Sequence, residues 1–127
     1  MRDLYSNIRA VQALASASRS AAITGPAIDL LGVGRMAVLV NTGTITGDGD
    51  FSTTLQESED GSTGWDDVAA AQMQSDVPET MEATSAYRLG YLGFKRFVRL
   101  SLTKADGTSI QVGAVAVLTD LAERPVA

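Results

Sequence analysis

Cysteine and histidine are both missing from this 127-residue sequence. Without cysteine there is neither disulfide stapling nor thiolate chemistry. Without histidine the usual general base and the commonest transition-metal ligand are gone. Aromatic residues are sparse, and there are only three prolines. No apolar run approaches the roughly 18–20 residues that a bilayer-crossing helix needs, so no membrane partner is expected. Positive charge is missing from a long stretch. Between Arg35 and Arg88 there is no Lys or Arg, while Asp48, Asp50, Glu57, Glu59, Asp60, Asp66, Asp67, Asp76, Glu79 and Glu82 all fall there. The net charge of −5 argues against nucleic acid as a partner.

What is present reads as strand. The length fits one core-forming domain. Its organising stretch is Tyr87–Thr103, with strand-like runs at Tyr87–Leu92 and Arg96–Thr103 around a short turn at Gly93–Lys95. In the second run Val98, Leu100 and Leu102 share one face and Phe97, Arg99 and Ser101 the other, the period-2 pattern of a half-buried antiparallel strand. The pair is expected to be a central hairpin, apolar inside and basic outside. Ser109–Leu118 alternates in the same way, with Ile110, Val112, Ala114, Ala116 and Leu118 on one face. Met36–Asn41 is a continuous apolar run, the mark of a strand buried on both faces or deep in a sandwich. Asp60-Gly61 and Asp106-Gly107 supply turns. Ala69–Ala83 reads as a crossing connection with one helical turn.

Regularly spaced strands with turns between them predict an all-β fold, an antiparallel β-sandwich of jelly-roll or immunoglobulin-like type. Its expected core includes Val38, Val40, Leu55, Trp65, Val68, Val98, Leu100, Leu102 and Val112, with Trp65 capping one end. Gly25-Pro26 marks the start of the folded domain, which divides the chain into an N-terminal arm at 1–24 and a sandwich at 25–127. In the arm Leu4, Ile8, Val11 and Leu14 have helix-compatible spacing. The segment reads either as a short helix or loose tail, or as an extended arm that docks on a neighbour.

No catalytic constellation emerges. The acids fall in turns where solvation explains them, and the chain is expected not to be an enzyme. Asp48, Asp50, Asp60, Asp66 and Asp67 offer hard oxygen ligands, but their spacing does not match an EF-hand loop. No metal or cofactor is expected. The glycines form no phosphate-binding fingerprint. Arg88, Lys95, Arg96 and Arg99 interleave with Tyr87, Tyr91, Phe94 and Phe97. Basic and aromatic residues on a sheet can form a nucleic-acid platform; the overall acidity favours charge complementarity between subunits instead.

Four pieces carry a resemblance: M-R-D-L-Y-S-N-I, L-Q-E-S-E-D-G-S-T-G-W-D-D-V, Y-R-L-G-Y-L-G-F-K-R-F-V-R-L and G-A-V-A-V-L-T-D-L-A-E-R-P-V. Together they span most of the chain, which resembles the small head structural proteins of tailed bacteriophages known as capsid decoration or cement proteins. The phrase around Trp65 also recurs in carbohydrate-binding sandwiches. The resemblance implies a virion protein on the capsid surface, partnered by the phage major capsid protein and by itself as a homotrimer. It assigns no residue a role. Arg2, Arg9 and Arg19 are the expected arm contacts, and Arg88, Lys95, Arg96 and Arg99 the expected capsid or intersubunit contacts. Two other readings stand beside it. One is a head–tail connector or tail component. The other is a carbohydrate-binding module, in which Trp65 and Tyr91 would stack on sugar.

Overall fold

Alternating and continuous apolar runs become strands throughout the computed structural model, which describes residues 5–47 and 49–121. Arg2 and Asp48 lie outside the described residues. The strands are β1 (Ile8–Arg19), β2 (Ile23–Thr24), β3 (Ile28–Asp29), β4 (Val33–Thr46), β5 (Asp50–Ser58), β6 (Asp66–Asp67), β7 (Met73–Ser75), β8 (Ala86–Tyr91), β9 (Phe97–Asp106) and β10 (Ser109–Leu121). Single 3-10 turns at Tyr5–Asn7 and Ala70–Gln72 are the helical elements among the described residues.

One sheet has the order β1-β10-β4-β8-β7; the other runs β2-β9-β5-β6, with β3 also on β9. All pairings are antiparallel, and they nest. β1 pairs with β10, β2 and β3 with β9, β4 with β8, and β5 with β6. The chain is therefore one long hairpin whose tip is the turn after β5. Rolling that hairpin adds the β10–β4 and β5–β9 ladders. This wiring is the jelly roll, which settles the choice between the two expected sandwich topologies.

Inward-facing side chains of both sheets fill the layer between them. Val38, Val40, Leu55, Val68, Val98, Leu100, Leu102 and Val112 are all buried there, with Phe51, Leu89, Ile110, Ala116 and Leu118. Met81, on the connection between β7 and β8, plugs one end, its amide donating to Phe51 O at 2.8 Å. Trp65 is not in this core. It is half-buried on the outer side of the second sheet, because the turn that precedes it places the indole over Arg99 rather than between the sheets.

Two further expectations change. Tyr87–Leu92 and Arg96–Thr103 do not form a hairpin: β8 belongs to the first sheet and β9 to the second, so residues 92–96 cross between layers. Alternation alone is blind to this, since a strand is half-buried in the same way whether its partner is its chain neighbour or not. From Ile8 onward the segment with helix-like spacing is likewise a strand, and Leu4 lies outside the described residues. β1 pairs with β10 from Ile8 to Arg19, with register shifts between Gln12 and Leu14 and between Leu14 and Ala17. A bulge adds a residue to the two-residue repeat, so Val11 and Leu14 both reach the inner side three positions apart. Ala13 and Leu14 are core residues, and this part of residues 1–24 packs as an edge strand of the sandwich.

β2 and β3 are one edge strand broken at Gly25-Pro26, where Gly25 N still donates to Leu100 O at 2.8 Å. A Cβ on Gly25 would lie 1.8 Å from Ala13 O. Gly25→Ala must push β1 off the second sheet, at a cost of about 2–3 kcal/mol. Leu100→Ala, deleting a fully buried side chain, is expected to cost about 3 kcal/mol. Urea unfolding of each variant checks both values.

Candidate functional site: a laced loop end with an apolar crown

Three loops meet at one end of the sandwich: 30–32 between β3 and β4, 59–65 between β5 and β6, and 92–96 between β8 and β9. Adjacent residues of the third loop tie it to the other two. Arg96 Nε and Nη2 donate to Asp29 Oδ1 and Oδ2, both at 2.9 Å, a bidentate pair 67 residues apart in sequence. Lys95 Nζ donates to Glu59 Oε1 at 2.8 Å. Beneath them the Tyr91 hydroxyl donates to Glu57 Oε1 at 2.6 Å and accepts from the Lys95 amide at 3.0 Å. Burial, reinforced by the Glu57 carboxylate, pushes the Tyr91 phenol up to about 12.

The 59–65 loop is built on one carboxylate. Asp60 Oδ1 accepts the amides of Ser62 and Thr63 at 3.0 and 2.9 Å, and Oδ2 accepts the Thr63 hydroxyl at 2.9 Å. Ser58 Oγ donates to Thr63 O at 2.6 Å. Gly61 takes φ +79 with its Cα against the Phe97 ring, where a Cβ would meet the ring at 2.9 Å. Both features require glycine. The turn legible as Asp60-Gly61 is thus also the seat of Phe97.

Large apolar side chains project from this laced base. Leu31 is 70 % exposed, Leu92 58 % and Phe94 82 %. Leu31 and Phe94 flank an open groove of about 320 Å³ floored by Met36 and Tyr91. Tyr5 is exposed just before β1 enters the same end. Of these, sequence reasoning noticed only Phe94, and it did so within a basic-aromatic stretch. Nothing in sequence distinguishes an exposed leucine in a loop from a buried one.

The expected basic contacts are mostly engaged within the chain. Arg88 lies 3.4 Å from Asp76 Oδ2, well away from the loop end. Lys95 and Arg96 are the lacing residues. Arg99 donates to Gln56 Oε1 at 2.9 Å and lies 4.2 Å over the Trp65 ring. Arg9 is exposed, and its charge helps hold the Asp29 carboxyl down. Arg19 Nη2 donates to Ala15 O at 2.7 Å.

Of the two aromatics expected to bind sugar, only Trp65 keeps exposed surface. Tyr91 is buried, and one face of Trp65 carries a guanidinium. Among the described residues no three acidic side chains converge as a metal-binding group.

No protein-family model matches the chain, and no curated protein matches it. A chain in the structure of infectious bursal disease virus, Gx strain, is similar in fold. The TM-score is 0.51 at 13 % identity, over 88 % of this chain and 31 % of that one. This chain therefore spans about a third of the length of the one it matches. At that identity the likeness concerns fold alone.

The lacing titrates. Hydrogen bonds from Arg96 and then from the Leu31 amide lower Asp29 from 3.8 to about 2. The Thr63 and Ser62 amides hold Asp60 well below its ordinary value. A carboxylate with a depressed folded pKa stabilises fully above its unfolded pKa, and that contribution disappears as pH falls through the folded one. Unfolding midpoints should therefore fall as pH drops from about 4 to 2. Asp29→Asn should flatten part of that slope in acid-titrated thermal melts.

Proposed function

We propose that this chain is a non-enzymatic structural protein of a virus particle: a cement protein that binds the outer surface of a tailed-phage capsid and bridges its capsomers. The observation that carries the reading is the crown of Leu31, Leu92 and Phe94 on loops braced by Lys95–Glu59 and Arg96–Asp29. Apolar groups on a pre-ordered base dock without losing much conformational freedom, which is how a rigid surface gains affinity. The jelly-roll likeness to a chain from a virus structure and the four sequence pieces point the same way. On this reading the crown seats on the major capsid protein, with the lacing cations around it. Many copies, grouped as homotrimers, add modest contacts by multivalency.

Particles purified with the protein should carry it in proportion to their capsomers, and particles lacking it should release DNA at a lower temperature. A single ring's worth of copies would instead indicate a connector or tail component. Leu31→Asp with Phe94→Asp changes exposed side chains, so the fold should persist while affinity for empty shells drops about 10- to 100-fold, or about 1.4–2.7 kcal/mol. Unchanged shell binding by that variant would remove the crown from the interface.

A further inference from the structure

The outer face of the first sheet carries a pattern meant for burial. In an antiparallel sheet with one face on the core, outward positions are normally polar. The two strands at its centre break that rule over their middle, between the polar Arg35 and Asn41 on β4 and before Thr119 on β10. β4 places Ala37 and Leu39 outward between the buried Met36, Val38 and Val40, and β10 places Val115 and Val117 outward between the buried Ala114, Ala116 and Leu118. Leu39 and Val115 are cross-strand partners and stand 47 % and 39 % exposed. The Met36–Asn41 run, which reads in sequence as buried on both faces or deep in a sandwich, lies deep in the sandwich and is covered on one face only.

The relief of this face is self-complementary. One row across the sheet, Gln12–Val115–Leu39–Arg88, stands proud. The next, Ala10–Val117–Ala37–Gly90, is low because three of its four residues are Ala or Gly. Hollows of about 310 and 400 Å³ lie on this face, and Ala37 lines both.

We infer that a second copy of this chain covers this face, packed sheet against sheet about a two-fold axis, with the Leu39–Val115 row of each copy over the Ala37–Gly90 row of the other. Aligned sheets stack about 10 Å apart at roughly 30°, and a two-fold axis makes each row meet its complement twice. Four strands about 4.8 Å apart and about seven residues long give a patch of roughly 19 by 24 Å. Two such patches total about 900 Å² in projection. That is below the roughly 1,200 Å² at which standard interfaces begin and fits a weak, reversible association. Gln12 and Arg88 end the proud row and give the apolar centre a polar rim.

The test uses the isolated chain, so it is independent of any capsid. Sedimentation equilibrium and light scattering should show a self-associated wild type, and Leu39→Arg with Val115→Arg should lower its mass about twofold. Both side chains are exposed, so far-UV circular dichroism and the melting temperature should stay as in wild type. Thr103→Arg, an exposed position on the other sheet, should leave the association intact. A wild type that stays monomeric at millimolar concentration would overturn the inference. So would a trimer whose mass the double substitution leaves unchanged. If the double variant instead loses shell binding while the free wild type is a monomer, the face belongs to the shell protein and the second copy is ruled out.

Discussion

β10 must be held on both flanks for the rest of the molecule to exist. It pairs with the first strand on one side and with β4 on the other, so one segment near the end of the chain closes two ladders whose partners are distant in sequence. β9 does the same in the second sheet, between β5 and the broken edge of β2 and β3. These non-local pairings require loop closure before they repay it, the reason such topologies fold slowly. The inward residues of β9 and β10 are accordingly the most regular in the chain. Val98, Leu100 and Leu102 face Ile110, Val112, Ala114, Ala116 and Leu118 across the sandwich or along its layers, and nearly all are fully buried.

That closure positions the loop end. Because β8 and β9 lie in different sheets, residues 92–96 must cross the layer gap, and the crossing carries Lys95 and Arg96 past Glu59 and Asp29. Exposed ion pairs of this kind contribute little each to stability. Their effect here is geometric: the bidentate Arg96–Asp29 pair fixes orientation as well as distance, and with the single Lys95–Glu59 contact it holds three loops in one arrangement. Asp60 performs the same service inside its own loop through backbone amides. The crown residues thus project from a base that is ordered before anything binds.

Much of the sandwich was legible because burial on one face leaves a period of two, kept by the apolar residues Val98, Leu100 and Leu102 of β9 and Ile110 to Leu118 of β10. The turn at Asp60-Gly61 was legible because a positive φ needs glycine. Other features were hidden for identifiable reasons. The bulge after Gln12 puts Val11 and Leu14 on one face three positions apart, a spacing that mimics a helix. The layer crossing at 92–96 looks like any short turn, since strand alternation carries no record of which sheet a strand joins. Trp65 was expected in the core on the strength of its size, yet its preceding loop sends it outward, where Arg99 covers one face of the ring. The pairing of Arg96 with Asp29 depends on the roll of the whole hairpin, so no local pattern could announce it. Basic residues were legible as a group, but not that Arg88, Lys95 and Arg96 pair with carboxylates of the same chain.

A jelly roll by itself does not specify a task, since the architecture hosts many unrelated functions. What bears on its role is where apolar surface remains after folding. Among the described residues it remains chiefly in two places that meet at Arg35 and Met36: the crown at one loop end, and the outer side of the first sheet around Leu39 and Val115. A domain of this size could cover such positions with polar side chains at little cost to its core, and on most of the second sheet it does so with Ser, Thr and Gln. One surface lies across the strand ends and the other along the sheet, so the body presents contacts in two directions, and each added contact raises the effective concentration for the next.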